Sequence, residues 1–258
     1  MRAPTMATVN RERILLVGGQ RALVMQLAHP LVAAGVADHS DFPARALNRL
    51  RRTLGLSLAL IYGTEEEARA ASRSIQAVHD RVTGTAEGSP YAANDPDLLA
   101  WVNATLIDTS LVVYDRFVRP LGDDERRRYY LESVESAAVF GIPREAMPPA
   151  FEGFERYLVG MLDGDVLKAT AEGKRLVRDV LRPPLPLPLR APTAVVRQIT
   201  LALLPARIRD LFELRAGLAA RAALAASSAA SRAALPWVPP VVREFARARA
   251  ADSARIGV

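Results

Sequence analysis

Leu47-Asn48-Arg49-Leu50-Arg51-Arg52-Thr53-Leu54-Gly55-Leu56-Ser57-Leu58-Ala59-Leu60-Ile61 is the stretch on which the fold turns. Leu47, Leu50, Leu54, Leu58 and Ile61 recur at helical spacing. Beyond Thr53, Leu56 and Leu60 fall opposite Leu54 and Leu58, so the helix is apolar all round. A helix without a polar face is buried on every side. Asp41-Phe42-Pro43 just upstream supplies an acidic cap and a Pro near the first turn. Together these features predict a helix over 43–62 at the centre of the fold.

Working outward, the same signals repeat. Gly18-Gly19 separates a short first helix from a second that carries Leu23, Val24, Leu27 and Leu31, and Pro30 kinks or restarts it. The nearly apolar run from Ala22 to Ala37 contains Gln26, His29 and Pro30 and is short for a membrane span, so it reads as core. Thr64-Glu65-Glu66-Glu67 is a capping-box signature. The helix behind it carries Ala68, Ala71, Ile75, Val78 and Val82 on one face, and Gly84 is placed at its stop. Asp95-Pro96 opens a long helix with Leu98, Leu99, Trp101, Leu106 and Val113. Further helices are expected near 123–140, 148–163, 170–182, 193–204, 205–233 and 238–252. Arg182 to Pro192 reads as a rigid extended strap. No strand is expected. The fold class is all-α, a single multi-helix domain over 18–253 after an N-terminal segment at 1–17.

Composition agrees with this reading. Of 258 residues, 50% are apolar, rich in the helix formers Ala and Leu, and only 6% are aromatic. The absence of cysteine excludes disulfides, thiolate catalysis, cysteine-bound zinc, iron–sulfur clusters and thiolate-ligated haem. Met1 to Arg13 is polar and has no secretory h-region, so a cytoplasmic location is expected. The formal net charge is +6, but the excess is arginine interleaved with acids, as in Asp123-Asp124-Glu125-Arg126-Arg127-Arg128. It reads as compositional bias and not as a nucleic-acid surface. No transmembrane segment is expected; peripheral membrane contact stays open.

Three groups of residues could carry chemistry. His79 lies at the edge of the Ile75, Val78 and Val82 stripe, where a neutral imidazole can ligate a metal through one nitrogen and hydrogen-bond through the other. The alternative is a helix-border histidine facing solvent or a carbonyl. Arg49, Arg52 and Thr53 share one helical face that runs into buried leucines. Guanidiniums there need anionic partners, supplied by a cofactor's propionates, by a carboxylate, or by solvent at the helix end. His39, with Asp38 and Asp41, makes a polar cluster beside the central helix; its alternative is turn and cap chemistry.

These residues carry a resemblance. Gly18-Gly19-Gln20-Arg21-Ala22-Leu23, the segment His29 to Phe42, Arg49-Leu50-Arg51-Arg52-Thr53, Val78-His79-Asp80-Arg81-Val82-Thr83-Gly84 and Tyr91-Ala92-Ala93-Asn94-Asp95-Pro96-Asp97-Leu98-Leu99-Ala100-Trp101-Val102 resemble the MpaB-type oxygenases. Those share a domain with the rubber-degrading latex clearing proteins. The resemblance is dense over about residues 18–120 and continues through Gly141-Ile142-Pro143 and Leu203-Leu204-Pro205. It implies a globin-reminiscent helical bundle around haem b, with His79 as the iron ligand. It implies that Arg49 and Arg52 hold the cofactor, and that Arg49, Arg52, Thr53 and His39 are the catalytic candidates. The reaction implied is oxygenation or oxidative cleavage of a hydrophobic, isoprenoid-like alkene by dioxygen.

Two departures from the family pattern stand out. Arg52 replaces a lysine that can occupy the sixth iron position, and arginine, always protonated, offers no lone pair. Asn103 stands where relatives have histidine. No catalytic carboxylate can be matched; Asp38, Asp41 and Asp95 are candidates. Other readings are a non-catalytic haem or hydrophobic-ligand binder on the same scaffold, a helical regulator or nucleic-acid module, and a non-haem metal on His29, His39 and His79.

Overall fold

The computed structural model describes residues 5–39, 55–56, 58–139, 141–184 and 187–256. Among the described residues the regular structure is helical apart from one small hairpin. Helix α1 spans Thr5–Asn10, and a 3-10 turn over Arg13–Gly18 leads directly into α2, Gly19–Gln26. Helix α3 runs Pro30–His39 and α4 Glu65–His79. Strands β1, Thr83–Ala86, and β2, Ser89–Ala92, precede the long α5, Pro96–Phe117. There follow α6 (Asp123–Val139), α7 (Phe151–Asp163), α8 (Ala171–Leu181), α9 (Leu187–Leu203), α10 (Ala206–Leu211), α11 (Leu218–Ala234), α12 (Pro240–Arg243) and α13 (Ala246–Ile256). No described helix is long and apolar enough to cross a membrane.

Helix α5 is the axis of the molecule. Asp95 caps it by accepting from the Asp97 and Leu98 amides, and Pro96 sits where no intrahelical donor is needed. Its buried positions include Leu99, Trp101, Ala104, Ile107, Leu111 and Tyr114, which meet α2, α6 and α7 in the main core. Val113 and Phe117 turn to a second cluster with Ile199 and Leu203 of α9. Gly18 lets the chain press against this axis: a Cβ there would lie 2.5 Å from the Thr109 methyl and 2.8 Å from a Val113 methyl. The Ala22–Ala37 run is core as expected, with Val24, Met25 and Ala28 fully buried and Pro30 starting α3. Residues ahead of Gly18 pack into the same core through Val9.

Charge ties the interior together at two places. Arg21, only 3% exposed, donates to Asp108 (2.7 Å), Thr109 (2.6 Å) and the Leu203 carbonyl (2.9 Å), and so joins α2, α5 and α9. Glu12, 1% exposed, accepts from the Arg243 Nε at 2.8 Å and pins the C-terminal segment to the N-terminal one. Such pairs cost severely when one partner is lost.

Five expectations are corrected. The all-round burial predicted beyond Thr53 does not hold among the described residues: over 55–62 only Ala59 is buried, and Leu56, Leu58 and Leu60 are half-buried. Residues 43–54 of the helix expected over 43–62 lie outside the described residues, among which the central helix is α5. Helix α4 ends at His79, with the Asp80 amide bonded back to Gln76, and Gly84 instead lies in β1. The hairpin itself was unforeseen; its two-residue turn, Glu87 (φ 49) and Gly88 (φ 78), has the left-handed geometry that matches strand twist. The strap over Arg182–Pro192 is helical from Leu187; Pro192 falls inside α9, in a first stretch, 187–192, that is exposed on all sides, so the carbonyl it leaves unpaired is not sealed in the core. The helices expected at 205–233 and 238–252 each break in two, at Phe212–Gly217 and at Glu244–Phe245, where Glu244 forms a bridge with Glu12.

Candidate functional site

The end of α3, the end of α4, the hairpin and the start of α5 meet in one corner. Each arrives for a local reason. The capping box fixes the start of α4: the Thr64 hydroxyl accepts from the Glu67 amide, and the Glu67 carboxylate accepts from the Thr64 amide. Fifteen residues later the helix delivers His79 at its last turn. The hairpin then folds back, with Val82 bonded to the His79 carbonyl at 2.9 Å and Ala93 to the Val82 carbonyl at 2.8 Å. That return puts Asn94 beside His79.

The Nδ1 of His79 is buried and has no hydrogen-bond partner. Burial pulls the ring's pKa below 6.5, against the opposing influence of the Asn94 amide and the Asp80 carboxylate. A helix C-terminus ordinarily favours imidazolium; here desolvation wins, and the ring is held neutral with a lone pair available. Asn94 in turn is fixed by donating to the Asp80 Oδ1 at 2.6 Å. Asp80 thus holds Asn94 next to His79, where its amide opposes the effect of burial on the ring. Next to the ring, Ile75 and Val82 are half-buried and Val78 is 42% exposed, so the predicted stripe presents apolar surface.

His39 reaches the same corner from α3. Its Nε2 lies 3.1 Å from the Thr83 carbonyl, which assigns the proton to that nitrogen, and its ring meets Tyr91 edge-on. Asp38 accepts from the Tyr91 hydroxyl at 2.6 Å, and burial and that carboxylate push the phenol up to about 12. Gly84 and Gly35 make room for the Tyr91 ring: a Cβ on Gly84 would lie 2.5 Å from its hydroxyl. Of the carboxylate candidates, Asp38 is occupied by Tyr91, and Asp95 serves as the α5 cap. Arg49, Arg52, Thr53 and Asp41 lie outside the described residues. Asn103 is half-buried with its amide directed at the Met147 sulfur, 3.9 Å away.

His29 is the third histidine. It sits between α2 and α3 with a buried, partnerless Nδ1 and a pKa lowered by burial, opposed by Asp95 and Asp97. The three histidines do not form a joint metal site: among the described residues no three histidine or acidic side chains come together to hold an ion. That corrects the non-haem metal reading. Sequence reasoning gave Asn94 and Asp80 no role of their own: Asn94 falls in the loop ahead of Asp95-Pro96, and Asp80 only in the run that follows His79. Their only signal was position, one directly after His79 and the other at the foot of the next helix.

Residues 6–236 match the family model described as the ER-bound oxygenase mpaB/B'/Rubber oxygenase, catalytic domain. No curated protein and no solved structure gives a match.

Proposed function

The chain belongs to the family of mpaB and rubber oxygenase catalytic domains, and from that membership we propose that it is a haem b-dependent oxygenase with His79 as the protein ligand to iron. The observation that supports the haem assignment is the buried, partnerless Nδ1 of a ring held neutral by desolvation. A neutral imidazole is what a histidine-ligated haem requires. The donor set therefore fits the group.

Haem, when bound, supplies the dioxygen chemistry. The chain's own residues supply the rest. His79 would hold the iron, and Asn94, fixed by Asp80, stands beside the ring. Arg49 and Arg52 are the cations for the cofactor's anionic propionates. Thr53 and His39 are the polar groups that accompany them, with His39 tethered to the Thr83 carbonyl. The substrate is a hydrophobic alkene of isoprenoid type. A molecule without polar handles is bound by burial of its surface, a task that in this reading falls to apolar side chains such as Ile75, Val78 and Val82. Arg52, always protonated, offers no lone pair and would not itself bind the iron.

Dioxygen uptake by the haem-loaded protein, measured with a polyprenyl alkene, tests the reading. The expected result is alkene-dependent uptake that His79→Ala abolishes. Haem binding without any alkene-dependent uptake would instead mark a non-catalytic haem carrier.

A further inference from the structure

The turn that follows α11 is apolar and faces water. It reads Leu235-Pro236-Trp237-Val238-Pro239-Pro240-Val241-Val242, and no side chain in it is polar. Trp237 is 85% exposed, Val241 56% and Val242 59%. The chain's other tryptophan, Trp101, is fully buried. An indole left in water forgoes a large burial gain, and its amphipathic ring suits the boundary between water and lipid. The surrounding charge is one-sided. Residues 180–243 hold nine arginines and two acids, Asp210 and Glu213, while the rest of the chain holds 25 basic and 26 acidic residues. From Leu214 to Arg243 there is no acid at all. Of the four arginines in that stretch, Arg243 is matched to Glu12, and Arg215, Arg221 and Arg232 are exposed. Arg232 is held near the turn by the Asp115 and Arg116 carbonyls, at 2.8 and 2.9 Å.

We propose that this turn docks the protein on the surface of an anionic lipid bilayer. Trp237, Val241 and Val242 enter the layer between headgroups and acyl chains, and the arginine-rich, acid-free stretch around them meets the negative headgroups. Pro236, Pro239 and Pro240 restrict the backbone, so docking orders little that was free before. Two other occupants fit less well. A stable dimer buries about 800 Å² on each partner; an eight-residue turn offers less, and a second copy would set the same positive charge against itself. A nucleic acid would answer the charge but gives the two valines nothing to pack on. The surface is separate from the His79 corner, so it stands whether or not haem binds there.

The test sediments the full chain with phosphatidylcholine vesicles, with and without phosphatidylserine, and follows tryptophan fluorescence in parallel. The proposal expects binding that requires phosphatidylserine and weakens as salt rises. Emission should move to shorter wavelength on binding and be quenched by lipids brominated in their acyl chains; Trp101, already enclosed by protein, contributes no shift. Trp237→Ser, and separately the pair Val241→Ser with Val242→Ser, should each reduce binding about tenfold or more. Val159→Ser, the loss of an equally exposed valine on α7, leaves binding unchanged. Unchanged thermal melting of the variants separates a lost surface from a lost fold. No binding to either vesicle, binding unaffected by Trp237→Ser, or an equal loss in Val159→Ser overturns the proposal. So does a dimer that forms without vesicles and is abolished by Trp237→Ser, which would assign the turn to a second copy of the chain.

Discussion

Helices α4 and α5 begin alike and end in opposite environments. Each opens with a side-chain cap, Thr64 in one and Asp95 in the other. Yet α5 buries residues on nearly every side, from Leu98 and Trp101 to Tyr114 and Phe117, while α4 buries only Ala71. A cap satisfies amides that are local to the helix start, whatever lies beyond it. Burial depends on what packs around the helix later. The contrast also separates two kinds of work. Helix α5 is structural, and α4 carries His79 on a half-covered apolar face where a ligand can meet it.

The largest expected effect falls on the structural helix. Trp101→Ala, at a fully buried position, should cost about 3–5 kcal/mol and lower the melting temperature by roughly 10 °C. Val78→Ala on α4 should change stability by no more than about 0.5 kcal/mol. Equal effects in calorimetry would dissolve the contrast. Next comes Arg21→Met, which strands Asp108 at the junction of α2, α5 and α9. Because Asp108 keeps some solvent contact, the loss belongs at the lower end for a broken pair, about 3 kcal/mol by denaturant titration. Thr64→Ala removes half of the capping box and should cost about 1 kcal/mol, with hydrogen exchange rising first in the opening turn of α4.

The smallest effect is one of pH. His79 and His29 both have folded-state pKa values below 6.5 because burial disfavours the imidazolium. Above 6.5 both rings are neutral in the folded and unfolded chains and contribute no slope. As pH falls through 6.5 toward the folded values, the unfolded chain binds more protons, so stability declines. Replacing both residues with Gln should flatten the melting temperature across that window. A steeper dependence in the double variant would contradict the assigned direction.

Much of this was legible in the sequence where the cause is local. The caps of α4 and α5 and the restart at Pro30 follow from residues a few positions apart. The hairpin was missed because its strands, Thr-Gly-Thr-Ala and Ser-Pro-Tyr-Ala, have no apolar alternation and include Pro90. What holds them is Tyr91, seated on Asp38 and over Gly84, a contact across 53 residues. The centre of the fold was assigned to 43–62 from all-round apolarity alone. Over 55–62 that apolarity is spread over half-buried leucines, whereas α5 earns its place through partners distant in sequence. His79 was visible as a candidate, but Asn94 and Asp80 emerge as its support only when the hairpin brings the chain back.

The most direct test of the account is a haem titration followed by absorption. The wild-type protein should take up one haem and develop a Soret band. His79→Gly should lose it, and added imidazole should restore it by filling the space of the missing ring. A Soret band of full strength and unchanged position in His79→Gly without imidazole would contradict the assignment of His79 as the iron ligand.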